Sequence, residues 1–162
     1  MATLLELVAA DVITKVDPML GLREMEMRCI FLLPRALKWL SEVLPNAESD
    51  WNIQEEPSEQ LDALFYEFCA GKSLQVETRF KCLTNLGEGI WQLKTADLRL
   101  FGWFAKKDHF VVCDCDLATR IKISGLYKGY CQQAVRFRDD LDLNEPKFVS
   151  GDNPDDVISD CY

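Results

Sequence analysis

The chain has 162 residues, 48% of them hydrophobic, and a formal net charge of −9. This length allows one hydrophobic core but excludes two ordinary domains, and the hydrophobic content excludes a disordered chain. No apolar run approaches the roughly 20 residues that span a bilayer. Glu6 and Asp11 interrupt the first apolar stretch, which therefore does not resemble a secretory signal. We expect a cytoplasmic protein with no membrane partner.

Charge is distributed unevenly along the chain. Residues 1–70 carry a net charge of −8, residues 71–138 a net charge of +6, and residues 139–162 a net charge of −7. A basic middle between acidic ends indicates a localised anion-binding surface. Solvated faces of opposite charge that pair with one another would give the same pattern, so composition leaves both interpretations open.

Seven cysteines at irregular spacings, several of them inside apolar segments, indicate reduced thiols rather than a disulfide framework. Cys113 and Cys115 lie two residues apart on a predicted strand, where alternation would direct both side chains to one face. His109 is near them, but no second ligand pair follows at a matching spacing. We therefore expect buried thiols that act as small hydrophobic side chains, and we predict no metal and no cofactor.

The N-terminal segment is predicted to be a helix outside the main domain. Leu4, Leu5, Val8 and Val12 have the spacing of an amphipathic helix. This apolar stripe would pack against the domain or against a second copy of the chain, which would make a homodimer. Residues 1–26 are therefore assigned to an N-terminal helical extension.

From residue 27 to residue 141 the pattern predicts one α+β domain with an antiparallel sheet. A short apolar run predicts the first strand, and two helices follow it, one opened by a proline and one by a serine. Three strand-like runs with very short connectors then predict a β-meander, and a helix closes the domain. The predicted strands are residues 29–32, 89–95, 97–105 and 109–114, and the predicted helices are residues 34–44, 58–70 and 126–141.

Apolar periodicity also predicts the core and the end of the domain. The side chains expected to be largely buried are Trp91, Leu93, Leu100, Phe104, Val112, Leu37, Leu40, Leu64 and Phe68. Residues 142–162 are acidic and interrupted by glycine, asparagine and proline. This composition predicts a flexible tail.

Five side chains of the meander and of the segment after it could carry chemistry: Lys94, Arg99, Arg120, Lys122 and Tyr127. Cations that converge on a sheet face can hold an RNA phosphate and stabilise the charge that develops when a 2′-hydroxyl attacks it. A lysine or a tyrosine could move the protons, and such a cleavage needs no metal. The lysines expected to contact RNA around this set are Lys81, Lys106, Lys107 and Lys128.

Three segments carry a resemblance to a known family: GEGIWQLKTADLRLFGWF (87–104), KDHFVV (107–112) and TRIKISGLYKGYCQQAVRFRDDL (119–141). Together with the order strand, helix, helix, meander, basic turn and tyrosine-bearing helix, they resemble the RelE/ParE toxin superfamily, above all its HigB-like and phage-derived branches. The resemblance covers residues 27–141. It implies a RelE-like fold and a metal-independent endoribonuclease that cuts mRNA, usually on the ribosome.

The resemblance also implies roles for individual residues. Lys94 matches the basic residue of the family's first meander strand, and Arg99 matches the arginine of the next strand. Arg120 or Lys122 matches the basic residue after the last strand, and Tyr127 falls near the tyrosine of the closing helix.

Two functions from different classes are therefore expected. One is a toxin-like endoribonuclease of a toxin–antitoxin system, neutralised by an antitoxin-like protein that covers the basic face. The other is a non-catalytic, phage- or mobile-element-borne protein of the same fold that acts through protein–protein contact. The basic middle favours the first. The acidic ends favour the second, because a polyanionic ribosome repels a chain of net charge −9. The acidic tail could also cover residues 94–127 as an internal mimic of RNA.

Overall fold

The computed structural model describes residues 1–159, which form an α+β fold around one six-stranded sheet. The strands are β1 (Thr14–Lys15), β2 (Cys29–Leu32), β3 (Phe80–Cys82), β4 (Ile90–Lys94), β5 (Leu98–Lys106) and β6 (His109–Leu117). The helices are α1 (Leu4–Ala9), α2 (Pro34–Glu42), α3 (Pro57–Cys69), α4 (Ala118–Ser124), α5 (Tyr127–Asp140) and α6 (Pro154–Val157), with a 3₁₀ turn at Leu44–Asn46. Among these residues no helix is both long and apolar enough to cross a membrane.

The sheet is mixed rather than antiparallel. Its strand order is β1-β2-β6-β5-β4-β3, and β2 runs parallel to β6 while every other pair is antiparallel. The meander of β4, β5 and β6 confirms the predicted hairpins, but the prediction of a wholly antiparallel sheet was wrong. Alternation within a meander does not specify on which side, or in which direction, an earlier strand adds. The long connection from β2 to β6, which runs through α2, α3 and the strands β3, β4 and β5, permits the parallel pair.

Helices cover both faces of the sheet, so its central strands are buried on both sides. On one face α2 and α3 pack over a cluster that contains Trp91, Leu93 and Leu100. On the other face α1, α4 and α5 pack over a second cluster that contains Ile90 and Phe101. Neighbouring residues of β4 and β5, such as Ile90 and Trp91 or Leu100 and Phe101, therefore face opposite sides of the sheet.

Seven of the nine predicted core side chains are buried, and two are not. Leu37 is 38% exposed and Leu40 is half-buried. The small Ala36 is the fully buried residue of α2, and Leu37, about 100° further around the helix, faces outward. The periodicity of α2 identified a helix but assigned its buried stripe to the wrong positions.

The N-terminal helix is shorter than expected. A capping box between Thr3 and Glu6 begins α1, which ends at Ala9. Asp11 then takes a positive φ of 58°. The chain therefore leaves the helix before Val12, and Leu4 and Leu7 become its buried residues while Leu5 is 69% exposed.

The described part of the C-terminal segment packs against the domain, which differs from the predicted flexible tail. Leu143 bridges Ala2, and the amide of Val149 donates to the carbonyl of Phe104 at 2.9 Å. Val157 and Ile158 are 0% and 1% exposed, in the cluster under α2 and α3. A few apolar residues anchor this segment, although its overall acidic composition predicted a flexible chain. Residues 160–162 lie outside the described part of the chain.

Candidate functional site

A β-bulge in β6 decides which side chains reach the α5 side of the sheet. Gly102 pairs with Val112 and Phe101 pairs with Asp114, so Cys113 is the extra residue of the bulge. Cys113 and Cys115 consequently belong to opposite clusters, and the prediction that they share a face was wrong. A bulge reverses the alternation that follows it, which directs Asp114 and not Cys115 towards α5.

The bulge aligns three charged residues across three strands. Lys94 on β4 is the partner of Arg99 on β5, and Arg99 is the partner of Asp116 on β6. Directly opposed residues of antiparallel strands point to the same face. Lys94, Arg99 and Asp116 therefore form a row, which we call the charged row, at the end of the sheet where α4 begins.

Asp116 holds the acidic end of the charged row. Its carboxylate accepts hydrogen bonds from the Arg120 guanidinium and from the Tyr130 hydroxyl. Burial, and then the hydrogen bond to Asp116, raises the pKa of Tyr130 to about 12. The Tyr130 ring stacks on Phe101 with centroids 5.0 Å apart. Arg120, which the sequence predicts to bind phosphate, is thus already paired with the Asp116 carboxylate.

Asp114 forms a second buried acidic site two residues earlier. Its carboxylate accepts a hydrogen bond from Nε of Arg35 at 2.7 Å, and its side chain is 7% exposed. The same guanidinium lies over the ring of Phe137 on α5, 4.8 Å from its centroid. This pair connects the start of α2 with α5 across the edge of the sheet.

Lys94 is the cation whose surroundings most resemble those of a proton-transfer group. Its Nζ donates to the carbonyl of Glu77 at 2.6 Å. Partial burial, followed by the nearby charges of Arg99 and Lys81 and then of Lys122, lowers the pKa of Lys94. Three further cations of the sequence prediction therefore act electrostatically on Lys94.

Arg99 is buried in the middle of the charged row. It is 6% exposed, and its Nη1 donates to the carbonyls of Thr95 at 2.6 Å and Leu98 at 2.8 Å. Its Nε has no hydrogen-bond partner in the described part of the chain. The guanidinium therefore stabilises the β4–β5 turn and adds positive charge beside Lys94.

An exposed tryptophan lies beside these cations on an anchored loop. Trp51 is 54% exposed, and Nζ of Lys122 lies 6.0 Å from its ring centroid. The neighbouring Asp50 accepts from the Thr119 hydroxyl at 2.6 Å, and its amide donates to Asp97 at 3.0 Å. The loop is thus attached both to α4 and to the β4–β5 turn, so a large aromatic surface is held in place next to positive charge.

The structure brings some predicted site residues together and separates others. Arg99, Lys122 and Lys81 lie within electrostatic range of Lys94, and Arg120 is directed at Asp116. Tyr127 packs edge-on against Phe101 at 5.9 Å, and it is Tyr130 that meets the arginine. Lys106 and Lys107 lie at the far end of β5 and in the turn after it, and Lys128 is an exposed residue in the first turn of α5. Seven residues of extended strand, about 23 Å, separate Arg99 from Lys106.

The sequence did not predict the roles of two buried aspartates and two aromatic residues near the site. Asp116 and Asp114 reach this face only because of the bulge, which leaves no mark in the pattern of residue types. Tyr130 follows Tyr127 by three residues, so helical spacing could have placed both on one face of α5. Trp51 sits in a segment whose acidic composition indicated only a loop.

Among residues 1–159 no group of three or more Asp, Glu, His or Cys side chains is arranged to hold a metal ion. The six cysteines in this range are all free thiols. No protein-family model, curated protein or solved structure matches the chain.

Proposed function

We propose that this chain is a toxin-like, metal-independent endoribonuclease with a RelE-like domain, which cuts mRNA on the ribosome and is neutralised by an antitoxin-like protein. The observation that carries the proposal is the lowered pKa of Lys94 at the meeting point of several cations. The order of β2, α2, α3, the meander and α5 supports the fold assignment, because it is the order that the family resemblance implies.

In the proposed reaction the neutral amine of Lys94 takes the proton of a ribose 2′-hydroxyl. The oxygen then attacks the adjacent phosphorus, and the bond from phosphorus to the 5′-oxygen breaks. A protonated lysine of the same cluster, Lys81 or Lys122, supplies the proton that this leaving oxygen needs. The products are a 2′,3′-cyclic phosphate and a 5′-hydroxyl. Arg99 and its neighbours stabilise the negative charge that grows on the phosphoryl oxygens.

Replacement of Lys94 tests this function directly. General acid–base groups contribute about 10²–10⁴-fold to a rate, so Lys94→Ala should lower cleavage of ribosome-bound mRNA by at least about 100-fold. Lys107→Ala, which changes an exposed lysine in the β5–β6 turn at the far end of the sheet from the charged row, is the matched control and should cleave normally. Chelators should change neither rate. Equal rates for the two variants, or a rate that requires added metal, would contradict the proposal.

The pH and salt dependence give independent readouts of the same site. Because the pKa of Lys94 is lowered, the fraction of neutral amine rises as the pH rises towards that pKa, and the rate should rise with it. Contact with about three phosphates should give a slope near −2 for the logarithm of RNA affinity against the logarithm of salt. A slope of −5 or steeper would mean that distant lysines also bind RNA.

A second candidate function is a non-catalytic protein that acts through protein–protein contact. It is favoured by the run of exposed apolar side chains between β1 and β2, where Met19, Leu22 and Met25 are 75% exposed or more. The ion pair between Arg120 and Asp116 also removes one phosphate-binding cation. Absence of cleavage, together with harmless expression in a bacterium without any partner gene, would favour this function over the enzyme.

A further inference from the structure

A groove lies at the end of the sheet opposite the charged row, on the face covered by α1. It encloses about 600 Å³ between α1, β2, the β5–β6 hairpin and residues 143–146. Ligand sites of small molecules commonly enclose 300–1,000 Å³. Backbone hydrogen bonds hold one wall of the groove in place. The amide of Ala2 donates to the carbonyl of Asp142 at 3.0 Å, and the amide of Asn144 donates to the carbonyl of Ala2 at 2.8 Å.

The floor of the groove is apolar. Leu4, Phe31 and Leu143 are 7%, 1% and 4% exposed, while Leu5 on the outer turn of α1 is 69% exposed. His109 closes one side, with its ring stacked against Phe31 at 6.3 Å. The groove therefore offers a buried apolar floor and an open apolar lip, to which an apolar chain can bind.

One end of the groove carries two lysines. Lys106 and Lys15 line it beside the half-buried thiol of Cys29, and both lysine charges act on that thiol. Lys15 already pairs with Glu26 at 2.8 Å, which leaves Lys106 as the cation that can accept a new anion. Glu26 also accepts a hydrogen bond from the Cys29 thiol at 2.9 Å, and Glu145 lines the groove beside Asn144 and Pro146. The lysine available to a ligand carboxylate is therefore Lys106, whereas Lys15 and Cys29 share Glu26.

We propose that this groove binds an amphipathic monocarboxylate, with its alkyl chain on Leu4, Phe31 and Leu143 and its carboxylate on Lys106. This binding site is independent of the ribonuclease site at the other end of the sheet. A carboxylate gains a charge-assisted hydrogen bond at Lys106, and each methylene that enters the groove leaves water.

Titration calorimetry of the full chain with decanoate tests the proposal. Octanoate, nonanoate and decanoate should bind with Kd values that fall about fourfold for each added methylene, and decylammonium should bind at least about tenfold more weakly than decanoate. Equal Kd values for decanoate and decylammonium, or no dependence on chain length, would overturn the proposal.

Two variants locate the site without disturbing the fold. Leu5→Asp places a charge on the exposed lip, at a position in the first turn of α1 where an acidic residue suits the helix dipole; it should weaken decanoate binding at least about tenfold. Lys106→Ala should weaken it about tenfold, whereas Lys107→Ala, its neighbour outside the groove, should not. Decanoate binding that survives both Leu5→Asp and Lys106→Ala would show that the ligand binds elsewhere.

Discussion

Asp116 is the residue on which the electrostatics of the candidate site depend. It accepts from Arg120 and Tyr130 while it lies opposite Arg99 in the sheet. An aspartate at this position lowers the positive electrostatic potential that a bound phosphate would meet. It also holds Arg120 and Tyr130 in fixed positions, where they could contact a phosphate. Under the proposed function, this carboxylate competes with an RNA phosphate for Arg120 at one end of the charged row.

Replacing Asp116 by asparagine should release both partners. The pKa of Tyr130, about 12 in the native protein because of burial and then of Asp116, should fall but stay above 10, since burial remains. Arg120 should then be free for RNA, and RNA affinity should rise. Absorbance titration of tyrosinate in Asp116→Asn measures the first effect, with Tyr130→Phe to identify the tyrosine. An unchanged titration curve would mean that Asp116 does not control this phenol.

The same raised pKa makes a prediction about stability. A phenol whose pKa is higher in the folded state than in the unfolded state stabilises the fold below pH 10, and this contribution disappears as the pH rises to about 12. The native protein should therefore lose more unfolding free energy between pH 10 and pH 12 than Tyr130→Phe does. Urea unfolding of both proteins across this range measures the difference, and parallel curves would contradict it.

At the scale of elements, the bulge in β6 gives Gly102 a specific role. A Cβ at Gly102 would lie 1.8 Å from the carbonyl oxygen of Val111, and backbone on both strands prevents an easy shift. Gly102→Ala should destabilise the protein by about 3 kcal/mol. Gly129→Ala on α5 has no atom within 4 Å of the new Cβ and should stabilise it by about 0.5–1 kcal/mol. The midpoints of urea unfolding compare the two variants. Equal midpoints would contradict the close approach of Gly102 to the backbone of Val111.

The elements that the sequence predicts well are those whose pattern is local. Helix α3 and the hairpins of β4, β5 and β6 follow from apolar periodicity and short connectors, and the structure confirms them. The parallel pairing of β2, the very short β1 and the bulge depend on contacts between distant segments, which no local pattern encodes. The site is predictable to the same extent: Lys94 and Arg99 follow from the hairpin, whereas Asp116 and Trp51 depend on tertiary placement.

At the scale of the whole molecule, the first residues of the chain and the described part of its C-terminal segment belong to the same fold as the middle. The N-terminus and the C-terminal segment meet at the Ala2–Leu143 bridge. The amide of Asp108 donates to the carbonyl of Val157 at 2.8 Å, and the Arg28 guanidinium donates to the carbonyl of Ser159 at 2.9 Å. These contacts lie at the β5–β6 hairpin, away from the charged row. Within residues 94–127, the described part of the C-terminal segment therefore contacts the far end of β5 and the β5–β6 turn, at Phe104 and Asp108, and not the charged row.

A single buried residue can test whether this segment supports the fold. Val157 is 0% exposed in the cluster under α2 and α3, and burial of a valine side chain stabilises a fold by about 1.5–3 kcal/mol. Val157→Asp removes that contribution and adds a buried charge, so the unfolding free energy should fall by about 3 kcal/mol or more. Asp155→Asn, exposed two residues away, is the matched control and should stay within about 0.5 kcal/mol of the native value. Urea unfolding measures the free energy of unfolding of both variants. A Val157→Asp variant that is as stable as the native protein and binds RNA more tightly would instead support the prediction of a flexible acidic tail that covers the RNA-binding face.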